Sequence, residues 1–203
     1  MESVDYKKEL KELYRQSANE VSLVEVPTLH YLMIDGKGDP NTSPEFSAAV
    51  ETLYPFSYAI RSIVKAEREM KYVVMPLEGL WWADDMEAFD VEKKDEWQWT
   101  LLQMQPNVVT EDIVERARED VSEKKDLPAL SEVRYESFDE GLSAQTLHIG
   151  PYSEEGPTVE RVHEFIEEQD YTRRGAHHEI YLSDMRRTDP EKLKTIIRQP
   201  VEE

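Results

Sequence analysis

The residues best equipped for chemistry lie in one short run, His177-His178-Glu179-Ile180-Tyr181-Leu182-Ser183-Asp184. Written as a strand, it places His177, Glu179 and Tyr181 on one face and His178, Ile180 and Leu182 on the other. An imidazole, a carboxylate and a phenol in a row are costly to bury without partners, so the row belongs in a cleft or at a wet surface. Glu179 there can serve as counter-charge to a cationic ligand or, with its pKa raised by burial, as a general acid or base. His177 can assist it. A second carboxylate, Glu78, stands in Pro76-Leu77-Glu78-Gly79-Leu80-Trp81-Trp82, on one face with Leu80 and Trp82. Two carboxyl groups brought close drive one pKa up and leave an acid and a base at neutral pH.

All four tryptophans, Trp81, Trp82, Trp97 and Trp99, fall within positions 81–99. Trp81 and Trp82 point to opposite faces, so one of that pair can wall a pocket, while Trp97 and Trp99 share a face. Aromatic walls beside a carboxylate suit flat, polycyclic or cationic molecules. Tyr152 follows a Gly-Pro turn ahead of a helix, a placement that aims a side chain into a cleft, and Tyr54 beside Pro55 is a weaker candidate. His148, between inward-facing Leu147 and Ile149, reads as structural. A metal site is not expected, because His177 and His178 point opposite ways and no third ligand is suitably spaced. No serine stands in a G-x-S-x-G elbow, and Gly36 to Asn41 is a turn without the phosphate-loop pattern.

The chain has 203 residues, of which 39% are hydrophobic and 33% charged, enough for one sizeable core or two fused halves. Its net charge is −20, from 44 acidic and 24 basic residues. That field repels phosphate backbones, so direct nucleic-acid binding is not expected, and it favours a neutral or cationic ligand. The acids are spread over many segments, which speaks against a DNA mimic. There is no cysteine, hence no thiol nucleophile or disulfide. No apolar run approaches a membrane span and the charged N-terminus lacks a signal-peptide core, so the expected location is cytoplasmic.

The elements that position these residues follow from periodicity. Residues 5–16 read as one short amphipathic helix, with Tyr6, Leu10, Leu13 and Tyr14 at helical spacing. Residues 21–34 are one strand or two, broken at Pro27. Thr42 or Ser43 caps a long helix with the stripe Phe46, Ala49, Val50, Leu53, Phe56, Ile60, Ile63 and Val64, kinked at Pro55. Residues 72–82 are a strand, 84–95 an acidic turn and 96–105 a second strand, the two strands forming a hairpin. A helix over 110–125 follows, with Thr110 as cap. The plan then repeats: strands at 132–138 and 142–149, a helix opened by Pro157, the strand 177–183 and a last strand over 194–201. His30-Tyr31-Leu32-Met33-Ile34 matches Gln145-Thr146-Leu147-His148-Ile149, and the strand bearing Glu78 matches the strand bearing Glu179. Two such β-α-β-β units related by a pseudo-twofold would set Glu78 and Glu179 on opposite sides of a shared cleft.

With both halves laid out, the chain resembles the gyrase-inhibitor-like (GyrI-like) small-molecule-binding family, in its stand-alone subgroup. The carriers are Tyr6-Lys7-Lys8-Glu9-Leu10, Ile34-Asp35-Gly36-Lys37-Gly38-Asp39-Pro40, the Pro76–Trp82 segment, Leu147-His148-Ile149-Gly150-Pro151-Tyr152 and His177–Asp184. The resemblance implies an α+β fold of two β-α-β-β units enclosing a hydrophobic ligand cleft. It makes residues 1–203 a single domain, with a first half at about 20–109, a second at about 130–203 and a short N-terminal helix ahead of them. In the broader family the domain senses drugs for transcription regulators, and a glutamate on the strand matching Glu179 answers cationic drugs. Some stand-alone members resemble hydrolases that open the cyclopropane ring of DNA-alkylating natural products. The expected site therefore has Glu179, Glu78 and Tyr152 as catalytic groups. Trp81, Trp82, Trp99, Tyr181, His177 and Tyr54 contact a hydrophobic, polycyclic or cationic small molecule. No cofactor is implied, and the protein is a monomer or homodimer. Cofactor-free hydrolysis, drug sequestration or sensing without a DNA-reading domain, and an interaction with gyrase are the functions left open.

Overall fold

The computed structural model describes residues 2–83 and 94–203. Most of the expected acidic turn at 84–95 thus lies outside the described residues. In chain order the elements begin with β1 (Glu2–Val4), α1 (Tyr6–Glu9), α2 (Lys11–Tyr14), β2 (Ser22–Val26) and β3 (Leu29–Lys37). There follow α3 (Pro44–Arg68), β4 (Met70–Tyr72), β5 (Leu77–Trp82), β6 (Gln98–Gln105), α4 (Glu111–Lys124) and β7 (Arg134–Phe138). The chain ends in β8 (Gly141–Ile149), α5 (Gly156–Glu168), β9 (Thr172–Arg173), β10 (His177–Tyr181) and β11 (Lys194–Glu202). The fold is mixed α+β, and no described helix is long and apolar enough to cross a membrane.

Local chemistry accounts for the element ends. Pro27, which has no N–H to give to a ladder, falls between the end of β2 and the start of β3. Ser43 caps α3 by accepting from the Phe46 N–H at 3.3 Å, with Pro44 in the first turn. Thr110 caps α4 in the same way, through the Ile113 N–H at 3.4 Å. Pro55 sits inside α3, which nevertheless runs on to Arg68 and stops at Glu69 in the left-handed region.

Three expectations are corrected. The N-terminal helix is two single turns, α1 and α2, parted at Leu10. The strand expected over 72–82 is two, β4 and β5, because the chain leaves the ladder at residues 73–76. His148 is the buried residue of its trio, Leu147 is half-buried and Ile149 is 50% exposed.

In chain order β3 and α3 are followed by β4, β5 and β6, and β8 and α5 by β9, β10 and β11, so each expected β-α-β-β run holds one strand more. In the sheet β6 lies between β3 and β5, and β11 lies between β8 and β10. The compact units are not the sequential halves, however. One comprises the described parts of Met1–Tyr6, Leu29–Met75 and Trp81–Phe138, the other Lys7–Thr28, Pro76–Leu80 and Asp139–Glu203.

In the first unit β3 pairs antiparallel with β6 and β7, β1 runs parallel to β4, and α3 and α4 pack together. Its core holds Tyr31, Leu32, Leu53, Phe56, Leu101 and Ile113. In the second unit the strand order is β2-β8-β11-β10, then the start of β5. One sheet face carries Ala144, Ile197 and Val201, which pack on Val162 and Ile166 of α5. The opposite face, which includes Arg198 and His178, is met by Leu13 and Tyr14 of α2.

Candidate functional site

β10 alternates as its sequence requires, and its two faces carry two polar clusters. Tyr181 pairs with Thr195 and Glu179 with Ile197 of β11, so His177, Glu179 and Tyr181 lie on the α5 face. Glu179 is held at both oxygens. His177 Nε2 is 2.9 Å from Oε1, and the Tyr181 hydroxyl donates to Oε2 at 2.7 Å. Burial alone raises a carboxyl pKa, but the contacts with His177, Tyr181 and Glu155 outweigh it and hold Glu179 below its usual value. The side chain stays 16% exposed, open to a solute. Tyr152, from the turn ahead of α5, meets Tyr181 edge-on with ring centroids 5.7 Å apart.

Glu155 completes this cluster, and sequence reasoning missed it. It stands at the residue before α5, where its side chain makes no cap hydrogen bond, and is buried beside Glu179 and Thr195. Burial and the Glu179 charge push it up to about 9, so it is the protonated member of the pair at neutral pH. Two glutamates before Gly156-Pro157 read as a solvated helix start, and only the proximity of residue 155 to the 177–181 row marks it out. Behind the row His163 of α5 contacts Arg173, at 3.1 Å from Nδ1, and burial together with Arg173 and His177 brings it down to about 4.

On the opposite face of the same strand, Glu78 is wholly buried and committed elsewhere. It accepts from the Tyr14 hydroxyl at 2.8 Å and from His178 Nε2 at 2.8 Å. His178 Nδ1 reaches Glu140 at 2.7 Å, and Arg198 donates to Glu140 at 3.0 Å, to Gln145 at 2.8 Å and to the Leu13 carbonyl at 3.0 Å. Burial alone lowers a histidine pKa, but the charges and hydrogen bonds of Glu140 and Glu78 push His178 up to about 9. Burial alone raises Glu140, but His178 and Arg198 draw it down to about 2. The Glu140 carboxylate thus meets two cations, His178 and Arg198, and both ring nitrogens of His178 lie within hydrogen-bond distance of a carboxyl oxygen. The expected Glu78–Glu179 pairing is therefore corrected. Glu78 joins the His178 face, and the carboxyl beside Glu179 is Glu155.

The tryptophans belong to the first unit. Trp99, expected as a ligand contact, is wholly buried over Gly36 and edge-on to Phe46, so it is a core residue. Trp81 stacks on Phe46 and is edge-on to Trp97, with 4% exposure. Trp82 and Tyr54 are half-buried. Two open grooves, one beside Lys11, Arg15 and Leu23 and one beside Arg118, Ser122 and Leu130, contain none of the expected site residues.

The site thus sets a largely buried carboxylate between an imidazole and a phenol, on a sheet face backed by a helix. The chain belongs to the GyrI-like small molecule binding domain family, whose model matches residues 19–202. It is similar to an uncharacterized conserved protein from Listeria innocua, with 40% identity, 98% of this chain and 100% of that chain covered, and a TM-score of 0.90. It is also similar to a hydrolase from Listeria innocua, at 39% identity over 99% of this chain and 100% of that one, with a TM-score of 0.89. The C-terminal domain of EcmrR, at 13% identity and a TM-score of 0.56, over 91% of this chain and 98% of that one, shares the fold alone. No curated protein matches the sequence.

Proposed function

We propose that this chain is a cofactor-independent hydrolase of a flat, hydrophobic electrophile, opening a strained cyclopropane ring of the kind found in DNA-alkylating natural products and so detoxifying it. The observation that carries this reading is Glu179, ionised, part-exposed and fixed at both oxygens by His177 and Tyr181. A carboxylate so held is aimed before substrate arrives and can take a proton from water. The water oxygen bonds to a ring carbon, a ring C–C bond breaks, and its electron pair passes into the conjugated carbonyl. A phenol of Tyr152 or Tyr181 hydrogen-bonds that oxygen as it gains charge. One proton passes from the site to that oxygen, so the net change is addition of one water. The hydrolase relative from Listeria innocua supports the reaction type at 39% identity.

The direct experiment mixes purified protein with a cyclopropane-bearing alkylator and follows loss of its chromophore. Catalytic turnover is expected, and Glu179→Gln is expected to lower kcat on the order of 100-fold or more, the usual worth of a general base. An unchanged rate in that variant removes Glu179 from the mechanism. A second reading, sequestration of a flat cation, is favoured by the same ionised carboxylate beside the Tyr152–Tyr181 pair. Stoichiometric protection without turnover decides for it.

A further inference from the structure

Glu155 and Thr195 hold the second observation at this site. Glu155 is 7% exposed and Thr195 fully buried, and the two side chains face each other, yet neither Glu155 Oε1 nor Thr195 Oγ1 has a hydrogen-bond partner of regular geometry among the described residues. An unpaired buried polar atom costs about 1–3 kcal/mol. Two of them beside a largely buried carboxylate mark a place for a small polar guest, and water is the smallest that offers both donors and an acceptor.

We propose that Glu155 and Glu179 act as a carboxyl–carboxylate pair that, together with Thr195 Oγ1, seats and activates the water added to the substrate. This rests on the hydrolase reading above. Two carboxyl groups in contact and largely out of water cannot both ionise, so the pair carries one proton. As the water oxygen bonds to carbon, Glu179 takes one of its protons. The proton of Glu155 leaves toward the product oxygen, and the pair returns to a single proton, so that one water is consumed and the enzyme is unchanged.

The groups facing the pair are His177 and Tyr181 of β10, Thr195 of β11, His148 of β8, Tyr152 of the preceding turn and His163 of α5. His148 is tied to Thr158 at 2.9 Å and to the Pro151 carbonyl at 3.2 Å. Arg173 of β9 stands behind His163. None of these gives Glu155 a cation of its own, in keeping with its raised pKa.

The test compares wild type, Glu155→Gln, Glu179→Gln and Thr195→Val on the cyclopropane-bearing alkylator, with melting curves to verify folding. For Glu155→Gln, kcat is expected to fall about 100-fold with KM within about twofold, and the alkaline limb of the pH profile to vanish. Thr195→Val is expected to lower kcat about tenfold. Wild-type kcat and pH profile in Glu155→Gln, with Glu179→Gln inactive, overturns the pair and leaves the hydrolase reading standing. If wild type itself shows no turnover, that reading fails. Carbon-13 NMR of the glutamate carboxyls then tests the pair directly, expecting one signal that titrates well above pH 7 and is lost in Glu155→Gln. A Glu155 carboxyl titrating in the ordinary range overturns the pair whatever the activity.

Discussion

His177 and His178 are sequence neighbours in unlike surroundings, because a strand turns successive side chains to opposite faces. His177 orients a part-exposed carboxylate, whereas His178 is sealed between two buried ones. The second arrangement makes stability depend on pH in a defined way. His178 binds its proton more tightly folded (about 9) than at its ordinary value of 6.5. Its contribution is therefore complete below about 6.5 and lost as pH rises through 9. Glu140 is the reverse: its contribution is complete above 4.5 and lost as pH falls through about 2. His178→Gln leaves Glu78 and Glu140 without their shared cation, at an expected cost of about 3–5 kcal/mol in urea denaturation at pH 7. The gap between wild type and variant should narrow toward pH 10, and a constant gap from pH 7 to 10 contradicts a buried imidazolium. Glu179 was legible in the sequence because alternation alone sets His177, Glu179 and Tyr181 in a row. The His178 cluster was not, since its members come from six elements or turns and Arg198 meets Leu13 across 185 positions. One trace was visible: an arginine inside the otherwise apolar run Thr195-Ile196-Ile197-Arg198.

At the scale of elements, local pattern predicted helices and strands well where one partner surface serves the whole segment. The stripe of α3 and the caps Ser43 and Thr110 stand where periodicity puts them. The pattern fails where one segment serves two surfaces. Tyr6 meets Tyr72 in the first unit while Leu13 and Tyr14 are buried in the second, so the helix expected over 5–16 is cut at Leu10. Tertiary partners outweigh helix propensity there, as tenths of a kcal/mol per residue allow. The β3–β6 pair offers a sharper test. Gly36 lies opposite Trp99, and a Cβ on Gly36 would stand 2.2 Å from the indole. Trp99 is fully buried and cannot swing away. Gly36→Ala is therefore expected to lower stability by about 1–3 kcal/mol through overpacking, read as a fall in the denaturation midpoint at unchanged m-value. A neutral effect would mean that Trp99 packs differently.

For the molecule as a whole the net charge of −20 is the dominant long-range term. Its self-repulsion opposes compactness and is screened by salt. Melting temperature is expected to rise between about 20 mM and 500 mM sodium chloride, over which the screening length falls severalfold. A flat or falling curve would show that local ion pairs, such as Arg134 with Asp35, outweigh the global field. The same charge predicts no retention of duplex DNA even at low salt, checked by gel shift.

β11 lies at the centre of the second unit, with β8 on one side and β10 on the other. It is also the last of the unit's described strands to be made. A nascent chain that has passed residue 193 has made Glu78, Glu140 and His178, but not the guanidinium of Arg198 that neutralises Glu140, nor the backbone that joins β8 to β10. The second unit thus lacks its central strand until residues 194–202 have been made, and until then its most polar interior is the part that most needs water.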